Sequence, residues 1–435
     1  MSRRICFDGL NLALERGTGI ATYTRMLADV ARDIGYEIGV VYSSPRRPAN
    51  NPLARDTALF DSQSIAPFPP WKRASGVIAD QLRSPLGIRP TPVNPSGIVV
   101  PEQFRGRLPV HDHLFVARNL FANARRYFSW SGRFTDLAFE TAPDIFHCTY
   151  QMPLRAKAAC NIYTIHDLVP LRLPYTTLDN KRQTYRLLRK IAADADHIVT
   201  VSENSKRDIV RLLGVAEERV TNTYEAVEFP RAVIELPDDL VAQQLRASYQ
   251  LELRDYLLFY GALEPKKNVA RLIEAYLLSG VEIPLVIAGA AGWGNEAETA
   301  LLDELRRRKQ ARPHNKRRVD HLKFVSTPEL ICLIRGARAV IFPSLYEGFG
   351  LPVLEAMQLG TPVVTSRTSS LPEIGGDAAL YVDPYDVDDM AQALTTIAAD
   401  DGLRAELARH GRVQAELFSV ARYRERVAAL YERLG

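Results

Sequence analysis

Short apolar runs alternate with amphipathic stretches in both halves of this 435-residue chain. Near the start, an apolar run at 5–8 precedes a helical pattern over 20–34, and a second apolar run follows at 38–42. This alternation predicts βαβ units, in which helices connect parallel strands. One hydrophobic core rarely supports a chain of this length. The sequence therefore predicts an α/β protein of two Rossmann-like domains.

The segment 229–250 interrupts the alternation with two prolines and several acidic residues. We interpret it as a linker between an N-terminal domain of residues 1–228 and a C-terminal domain of residues 251–415. Residues 416–435 end in a charged helix whose apolar spacing permits packing back across the first domain. The Pro-, Arg- and Ser-rich stretch 44–109 is predicted to be an insertion or loop region. Strands are predicted at 5–8, 38–42, 144–148, 161–165, 197–202, 256–260, 285–288, 322–325, 339–342 and 362–365.

Composition excludes several classes of protein. Lys and Arg total 55 against 51 Asp and Glu, an excess too small to indicate a nucleic-acid partner. Asp8 and Glu15 interrupt the only N-terminal apolar stretch, which argues against a secretory signal. No run of about 18 apolar residues is present, so we expect a cytoplasmic protein, at most peripheral at the inner face of the membrane. The four cysteines lack metal-ligand spacing and are predicted to be buried thiols.

The most informative motif joins a strand, a glycine-bearing loop and a helix. The predicted strand ends at Phe342, and Leu351-Pro352 opens a helix with proline in its favoured first turn. Free N–H groups and the helix dipole therefore form a site for a phosphate or diphosphate. Glu347 lies in the loop and Glu355 lies about one turn into the helix, so their carboxylates can accept hydrogen bonds from different hydroxyls of one ligand.

These residues resemble glycosyltransferase family 4 (GT4), a family of retaining enzymes whose fingerprint is two glutamates eight residues apart. In this family a helix and a Gly-Thr/Cys-Pro-Val strand follow the second glutamate, and Gly360-Thr361-Pro362-Val363 matches that continuation. Four further motifs occur in the family's order: Gly17-Thr18-Gly19-Ile20, Thr164-Ile165-His166-Asp167-Leu168, Val201-Ser202-Glu203-Asn204-Ser205 and Tyr260-Gly261-Ala262-Leu263-Glu264-Pro265-Lys266-Lys267-Asn268. The resemblance implies a GT-B fold, in which two Rossmann-like domains face each other across a cleft. Residues 1–228 would form the acceptor-binding domain and residues 251–415 the nucleotide-sugar-binding domain, and the two would close over the nucleotide-sugar donor.

The resemblance also implies roles for individual residues. Glu347 would contact the transferred sugar, Glu355 would bind the ribose, and Lys267, with Lys266 beside it, would neutralise the diphosphate. The implied catalytic residues are His166, Glu347 and Lys267. The implied donor-binding residues are Gly19, Ser202, Lys266, Lys267, Asn268, Glu347, Gly348, Phe349, Gly350, Leu351 and Glu355. Ala262 departs from the family, because many relatives carry an arginine there that also touches phosphate.

Some assignments stay open at this stage. His166 follows an apolar strand, where α/β sheets bind ligands, but it could equally be paired with the neighbouring Asp167. Ser202 could line the cleft or cap a helix. Gly17 and Gly19 lack the third glycine and the downstream acid of a dinucleotide fingerprint, which disfavours NAD.

Similarity to bacterial mannosyl- and rhamnosyltransferases of surface-polysaccharide assembly favours mannose transfer from GDP-mannose by front-face substitution, without a metal ion or other cofactor. The acceptor would be a saccharide or a polyprenyl-diphosphate-linked saccharide. The alternatives are a UDP- or dTDP-sugar donor, a non-catalytic nucleotide-sugar-binding protein, and a nucleotide-sugar epimerase of similar fold.

Overall fold

The computed structural model describes residues 3–12, 19–45, 51, 84–93, 109–290, 292, 300–305 and 317–435. Most of the predicted insertion at 44–109 lies outside these residues, as do Gly17, Thr18 and the basic stretch 306–316. Within the described ranges, the strands form an eight-stranded sheet, a six-stranded sheet and a two-stranded ribbon. The prediction of an α/β chain with parallel sheets is confirmed.

The eight-stranded sheet is built from the first half of the chain. Its strands are β1 (Arg4–Asp8), β2 (Glu37–Ser44), β3 (Thr91–Val93), β4 (His113–Arg118), β6 (Ile145–Cys148), β8 (Cys160–Thr164), β9 (His197–Thr200) and β10 (Val220–Asn222). Their order is β10-β9-β8-β6-β1-β2-β4-β3, and only β3 runs antiparallel to its neighbour. The ribbon pairs β5 (Thr135–Leu137) with β7 (Leu154–Ala156). The helices of this half are α1 (Gly19–Asp33), α2 (Leu120–Ser131), α3 (Val169–Arg172), α4 (Lys181–Asp194) and α5 (Glu203–Leu213).

The six-stranded sheet is built from the second half and is parallel throughout. Its strands are β11 (Leu257–Tyr260), β12 (Leu285–Ala288), β13 (Val319–Leu322), β14 (Ala339–Phe342), β15 (Val363–Ser366) and β16 (Ala379–Val382), in the order β13-β12-β11-β14-β15-β16. The helices are α6 (Arg231–Ile234), α7 (Asp238–Tyr249), α8 (Val269–Ser279), α9 (Thr327–Gly336), α10 (Leu351–Gln358), α11 (Leu371–Gly375), α12 (Val387–Ala399), α13 (Asp401–Ala415) and α14 (Val420–Leu434).

The central strands of the second sheet are buried at every position. All four residues are buried in each of β11, β12, β14 and β15. Helices cover both faces of a parallel sheet, so its strands are apolar along their whole length rather than alternately. This explains why the sequence predicts these strands to within about one residue.

The edge strand β13 differs from its prediction at 322–325. It runs over Val319–Leu322 instead, and only Val319 is buried. Residues 323–325 lead into α9, where Ser326 and Glu329 form a capping box. The apolar run that predicted the strand is therefore the approach to a helix, and the half-exposed edge strand has a weaker apolar signal.

The predicted linker at 229–250 contains α6 and α7, whose contacts are with the second domain. Val241 and Leu245 of α7 are fully buried. Arg335 of α9 donates hydrogen bonds to the carbonyls of Val233 (3.0 Å) and Leu236 (2.8 Å). Side-chain packing and these bonds fix residues 229–250 on α9. The prolines and acidic residues of the segment give no sign of this contact.

The C-terminal helix α14 lies against the first domain. The Tyr431 hydroxyl is 2.8 Å from Nδ1 of the fully buried His147, and the Tyr431 carbonyl accepts a hydrogen bond from Tyr36 at 3.4 Å. Arg433 donates to Thr221 on β10 at 2.9 Å. Among the helices in the described ranges, none is both long enough and apolar enough to cross a bilayer.

Candidate active site

Two lysines and a glutamate meet at the carboxyl edge of the second sheet. Lys266 and Lys267 lie in a short 3₁₀ turn after β11, and Glu347 lies in the loop after β14. Because β11 and β14 are parallel neighbours, both loops emerge at the same edge of the sheet. Lys267 Nζ lies 2.7 Å from Glu347 Oε1, and Lys266 Nζ lies 3.4 Å from Oε2. The structure thus brings together two cationic residues and one acidic residue that are 80 positions apart in the chain.

Glu347 is buried, and the two lysines beside it are partly buried. Burial by itself raises the pKa of Glu347, but the ammonium groups of Lys266 and Lys267 more than offset it and lower the pKa to about 2. Burial lowers the pKa of Lys266, but Glu347, Asp167 and Glu264 together raise it above the ordinary lysine value. Lys267 Nζ also lies 4.7 Å from the centre of the Phe342 ring. The site therefore holds fixed charges at neutral pH, as a site for a charged diphosphate requires.

Helix α10 begins beside this cluster. Gly350 precedes its first turn with φ +117°, a conformation that only glycine adopts readily, and Pro352 occupies the first turn. Glu355 lies one turn further along, where burial raises its pKa although Tyr260 and Lys267 act in the opposite direction. The two glutamates thus have pKa values shifted in opposite directions. Such a difference is typical of carboxylates with different roles in one site.

His166 lies directly beyond β8, and its ring nitrogens both have partners. Nε2 is 2.9 Å from the Thr149 carbonyl oxygen, and Nδ1 is 3.3 Å from Glu225 Oε1. Both partners are acceptors, so the ring donates from both nitrogens when it is protonated. Burial lowers the pKa of His166, but the hydrogen bond and charge of Glu225 reverse this and raise it. The ring is therefore held in place by two acceptors that favour its protonated form. The alternative pairing with Asp167 is not what anchors the ring.

We expect Glu225→Gln to change how stability depends on pH. Because the pKa of folded His166 lies above its ordinary value of 6.5, the ion pair stabilises the fold fully below that pH and is lost as pH rises through the folded pKa. At about pH 6 the variant should lose roughly 2 kcal/mol of unfolding free energy, since a hydrogen bond between charges is replaced. The loss should shrink at higher pH. Urea unfolding across this range measures it, and an equal loss at every pH would contradict the assignment.

The loop that carries Glu347 is also bonded to the first domain. Ser202 Oγ donates to the Gly348 carbonyl at 2.6 Å, and Ser205 Oγ donates to the carbonyl of His166 at 3.0 Å. Ser202 also caps α5 by accepting from Ser205 N. The sequence left two roles open for Ser202, and the structure shows both: it caps α5 and it contacts the loop that carries Glu347. A Cβ atom at Gly348 would lie 2.6 Å from the His166 carbonyl oxygen, so the two domains meet here with no room for a side chain.

A second contact between the domains lies beside the first. The carboxylate of Glu373, in α11, accepts hydrogen bonds from the backbone N–H groups of Glu203 (2.7 Å) and Asn204 (3.1 Å). These groups belong to the first turn of α5, where the helix dipole favours an anion. Tyr346, next to Glu347, is hydrogen bonded to Asp208 and Asn204 of α5. The N-terminal half of α5 therefore holds the loop of Glu347 in position.

The other residues implied by the family fall into two groups. Gly19 and Leu351 approach each other across the cleft, since a Cβ on Gly19 would lie 3.7 Å from the Leu351 side chain. The side chains of Asn268 and Phe349 contact other groups of the protein. The Asn268 amide donates to the carbonyls of Pro343 and Pro384, and the Phe349 ring packs against Phe418 and Tyr224. Asn268 and Phe349 shape the loops and do not present their side chains to the cleft.

No sequence motif assigned a role to Glu225, Glu373 or Tyr346, and Ser205 entered only as the last residue of a family motif. Glu225 follows the short strand β10, which has a weak apolar pattern, so nothing marked it as lying at a sheet edge. Glu373 stands in a five-residue helix with no motif of its own. The described ranges contain no group of three or more His, Cys, Asp or Glu side chains with metal-binding geometry. The expectation that no metal is used stays a prediction.

Two family models match successive parts of the chain. "Glycosyltransferase Family 4" matches residues 79–228, and "Glycosyl transferases group 1" matches residues 242–414. O-antigen chain mannosyltransferase B of Escherichia coli is 35% identical over 279 residues, which cover 62% of this chain and 69% of that protein. This chain belongs to glycosyltransferase family 4. The predicted family and enzyme class are therefore confirmed.

Other relatives of this glycosyltransferase match over a smaller part of their length. The serotype-specific mannosyltransferase WbdA of Escherichia coli is 31% identical over 264 residues, which cover 59% of this chain but only 31% of WbdA. Among solved structures, Anabaena Alr3699/HepE in complex with UDP and glucose superposes with a TM-score of 0.65 at 16% identity, covering 99% of this chain and 100% of that one. Sucrose-phosphate synthase from Thermosynechococcus elongatus gives 0.64 at 16% identity, with 99% of each chain covered. These structures share the GT-B fold.

Proposed function

We propose that this glycosyltransferase is a retaining enzyme that transfers mannose from GDP-mannose to a saccharide acceptor in the assembly of a surface polysaccharide. The observation that carries the proposal is the ionised Glu347 between Lys266 and Lys267, at the start of α10. Cationic side chains and a helix N-terminus stabilise a diphosphate leaving group, and a carboxylate beside them accepts hydrogen bonds from a sugar.

The chemistry follows from these charges. The bond between the sugar C1 and the diphosphate oxygen breaks, and the acceptor oxygen bonds to C1 on the same face. The acceptor proton passes to an oxygen of the departing diphosphate. Lys267 stabilises the negative charge that develops there, and Lys266 shares this role because Ala262 offers no cation. His166, whose protonated form is favoured by Glu225 and Thr149, adds positive charge at the adjoining edge of the first domain when it is protonated.

The choice of mannose is supported by the relatives. O-antigen chain mannosyltransferase B, WbdA and RfbU of Salmonella typhimurium are all mannosyltransferases, at 35%, 31% and 28% identity. The solved relative Alr3699/HepE instead binds UDP and UDP-glucose, so UDP-sugars are the main alternative donors. We further propose that no metal is required, because Lys266, Lys267 and the α10 N-terminus provide the positive charge. A cytoplasmic site of action, with peripheral contact to the inner membrane face, completes the proposal.

A donor survey tests this function. We expect GDP-mannose to bind and to be hydrolysed slowly without acceptor, while UDP-glucose, UDP-galactose and dTDP-rhamnose bind at least tenfold more weakly, about 1.4 kcal/mol. Addition of EDTA should leave the rate unchanged. With an acceptor, NMR of the product should show the anomeric configuration of the donor.

Three outcomes of this survey would change the proposed function. Turnover of a UDP- or dTDP-sugar alone would change the donor but keep the transferase. Donor binding without hydrolysis or transfer would indicate the non-catalytic binding protein. Conversion of the nucleotide sugar into its epimer without acceptor would indicate an epimerase.

A further inference from the structure

A groove of 710 Å³ lies between the two domains, beside the loop that carries Glu347. Helices α3, α4 and α5 of the first domain form one wall. The loops after β14, β15 and β16 form the other, at the carboxyl ends of three neighbouring parallel strands. Ligands bind at such edges of open α/β sheets, and the volume is usual for a ligand site. Among the described residues, neither lysine of the charge cluster lines the groove, and Glu347 and His166 do not either, so it is separate from the reacting centre.

The walls of the groove carry tyrosines and leucines. Tyr185 of α4 is 44% exposed, and Tyr385, in the loop after β16, is 52% exposed. Arg271 lies over the Tyr385 ring, 5.6 Å from its centre, and stabilises the orientation of the ring. The leucines that line the groove are Leu171, Leu173, Leu212 and Leu345. Both domains therefore present apolar surface to a ligand, and each tyrosine adds a polar hydroxyl at its edge.

The groove is almost free of net charge. Arg172 is the only charged residue among the described residues that line it, and Arg172 Nε lies 3.4 Å from Oδ2 of Asp208. Proteins bind phosphates and carboxylates with unpaired or clustered cations, Arg above all. A single arginine that already faces a carboxylate does not match an anionic ligand. The groove therefore favours a neutral one.

The uncharged polar groups of the groove suit a ligand with hydroxyls. Ser369 Oγ accepts a hydrogen bond from the Glu347 N–H at 2.9 Å, and no described group accepts from Ser369, so its O–H can donate to a ligand. Thr368 donates to the carbonyl of Leu345 at 3.1 Å, so its oxygen can still accept. Asn204 adds an amide. Donors and acceptors around an aromatic and leucine surface match a hexose, which has hydroxyls at its rim and C–H groups on its face.

We propose that this groove is a second saccharide-binding site, which takes a neutral hexose oligosaccharide other than the group being extended and which, when occupied, favours the arrangement with the two domains in contact. The proposed function assigns no ligand to the groove and supplies only the choice of mannose for the probe. A ligand that contacts both walls binds more tightly when the domains are together, so it shifts the equilibrium toward that arrangement.

A saccharide in the groove also acts on the loop of Glu347. Tyr346, the preceding residue, lines the groove, and its hydroxyl is bonded to Asp208 and Asn204 of the first domain. Ser369, on the second-domain wall, holds the backbone N–H of Glu347. Because the donor uses the same loop, a saccharide that stabilises this arrangement should also tighten donor binding, and the donor should tighten saccharide binding by the same factor.

Binding is tested with an α-linked mannotriose whose non-reducing sugar is fully O-methylated, so that it cannot accept a sugar. Saturation-transfer NMR gives its Kd without donor. We expect Tyr185→Ala and Tyr385→Ala each to raise this Kd roughly tenfold, because each removes an aromatic ring from the wall. Tyr185→Phe, which keeps the ring, should change the Kd by less than about threefold.

The matched control is Trp130→Ala, which removes an exposed aromatic residue of α2 that does not line the groove. It should leave the Kd of the probe unchanged. Tyr185 and Tyr385 are exposed as well, so their truncation leaves the hydrophobic cores intact. Absence of probe binding, or the same Kd in the two alanine variants as in the unmodified protein, would overturn the proposal.

A second measurement separates the groove from the catalytic cleft. A saturating concentration of the probe should lower the Kd of GDP-mannose, or of the donor selected by the survey, at least about threefold, and Tyr185→Ala should remove this effect. The KM for the saccharide acceptor should not rise. Competition with the acceptor would place the probe in the cleft, and an unchanged donor Kd would show that the occupied groove does not favour contact between the domains. Either result overturns the proposal.

The two proposals fail in different ways. Probe binding is measured without donor, so an enzyme that binds and hydrolyses no donor defeats the proposed function and still allows the groove to be tested. If donor hydrolysis is normal and the probe does not bind, the proposed function stands and the second saccharide site is wrong.

Discussion

Glu347→Gln should reduce transfer by about 10²- to 10³-fold, the loss typical when one preorganised electrostatic group is removed from an active site. The substitution keeps the size of the side chain but removes the negative charge that Lys266 and Lys267 share. The two partly buried ammonium groups then lose their counter-charge, and only a neutral amide oxygen is left to accept a hydrogen bond from the sugar. We expect kcat to fall more than donor affinity. Steady-state kinetics with GDP-mannose and a mannose-containing saccharide acceptor provide the measurement.

A double-mutant cycle of Glu347→Gln and Lys267→Met measures the coupling between the two side chains, apart from the effect of each substitution alone. Because the two groups lie 2.7 Å apart, the combined loss should be well below the product of the single losses. Glu355→Gln is the informative comparison. Burial already raises the pKa of Glu355, so neutralising it should weaken donor binding while retaining more of kcat. Fully multiplicative losses at Glu347 and Lys267 would show that the pair does not act as a unit.

The charge of Glu347 also predicts a pH effect on stability. Its pKa of about 2 lies below the ordinary value of 4.5, so its pairing stabilises the fold above pH 4.5 and is lost as pH falls toward 2. The Gln variant should therefore lose less stability than the unmodified protein on acidification. Thermal unfolding at about pH 7 and about pH 3 makes this comparison.

Gly348→Ala should lower transfer by about a hundredfold, since a shift of about 1 Å at a reacting centre has this effect. The added Cβ would lie 2.6 Å from the His166 carbonyl oxygen and 3.2 Å from Asp167 Cβ. A backbone carbonyl cannot rotate away as a side chain can, so the two domains must separate. The added Cβ meets only atoms at the contact between the domains and no strand of either sheet, and the unfolding midpoint should therefore change by less than about 3 °C. The radius of gyration from X-ray scattering should increase.

The control for this prediction is Gly402→Ala. Gly402 is exposed on α13, and its nearest neighbour to an added Cβ is a side-chain oxygen of Asp400 at 3.3 Å. Transfer and scattering should match the unmodified enzyme. If Gly348→Ala retains full activity, the close approach of the two domains is not needed for catalysis.

Much of the fold could be predicted from the sequence because parallel strands buried on both faces have continuous apolar runs. Residues 285–288 and 339–342 were predicted at their observed bounds. Short or exposed edge strands such as β10 and β13 have no such run, and they were missed or displaced. The loop of Glu347 and the helix that follows could be identified from glycine and proline positions, which constrain the backbone locally.

The sequence by itself determined the two α/β halves, the strand-loop-helix motif and the family to which they belong. These depend on residues close together in the chain, where spacing and backbone preference act directly. Only the tertiary structure decided that Glu225 holds His166, that Glu373 caps α5 and that Ser202 donates to the Gly348 carbonyl. Each of these contacts joins residues 59 to 170 positions apart. Local patterns cannot encode such partners, because the packing of whole elements sets which side chains meet.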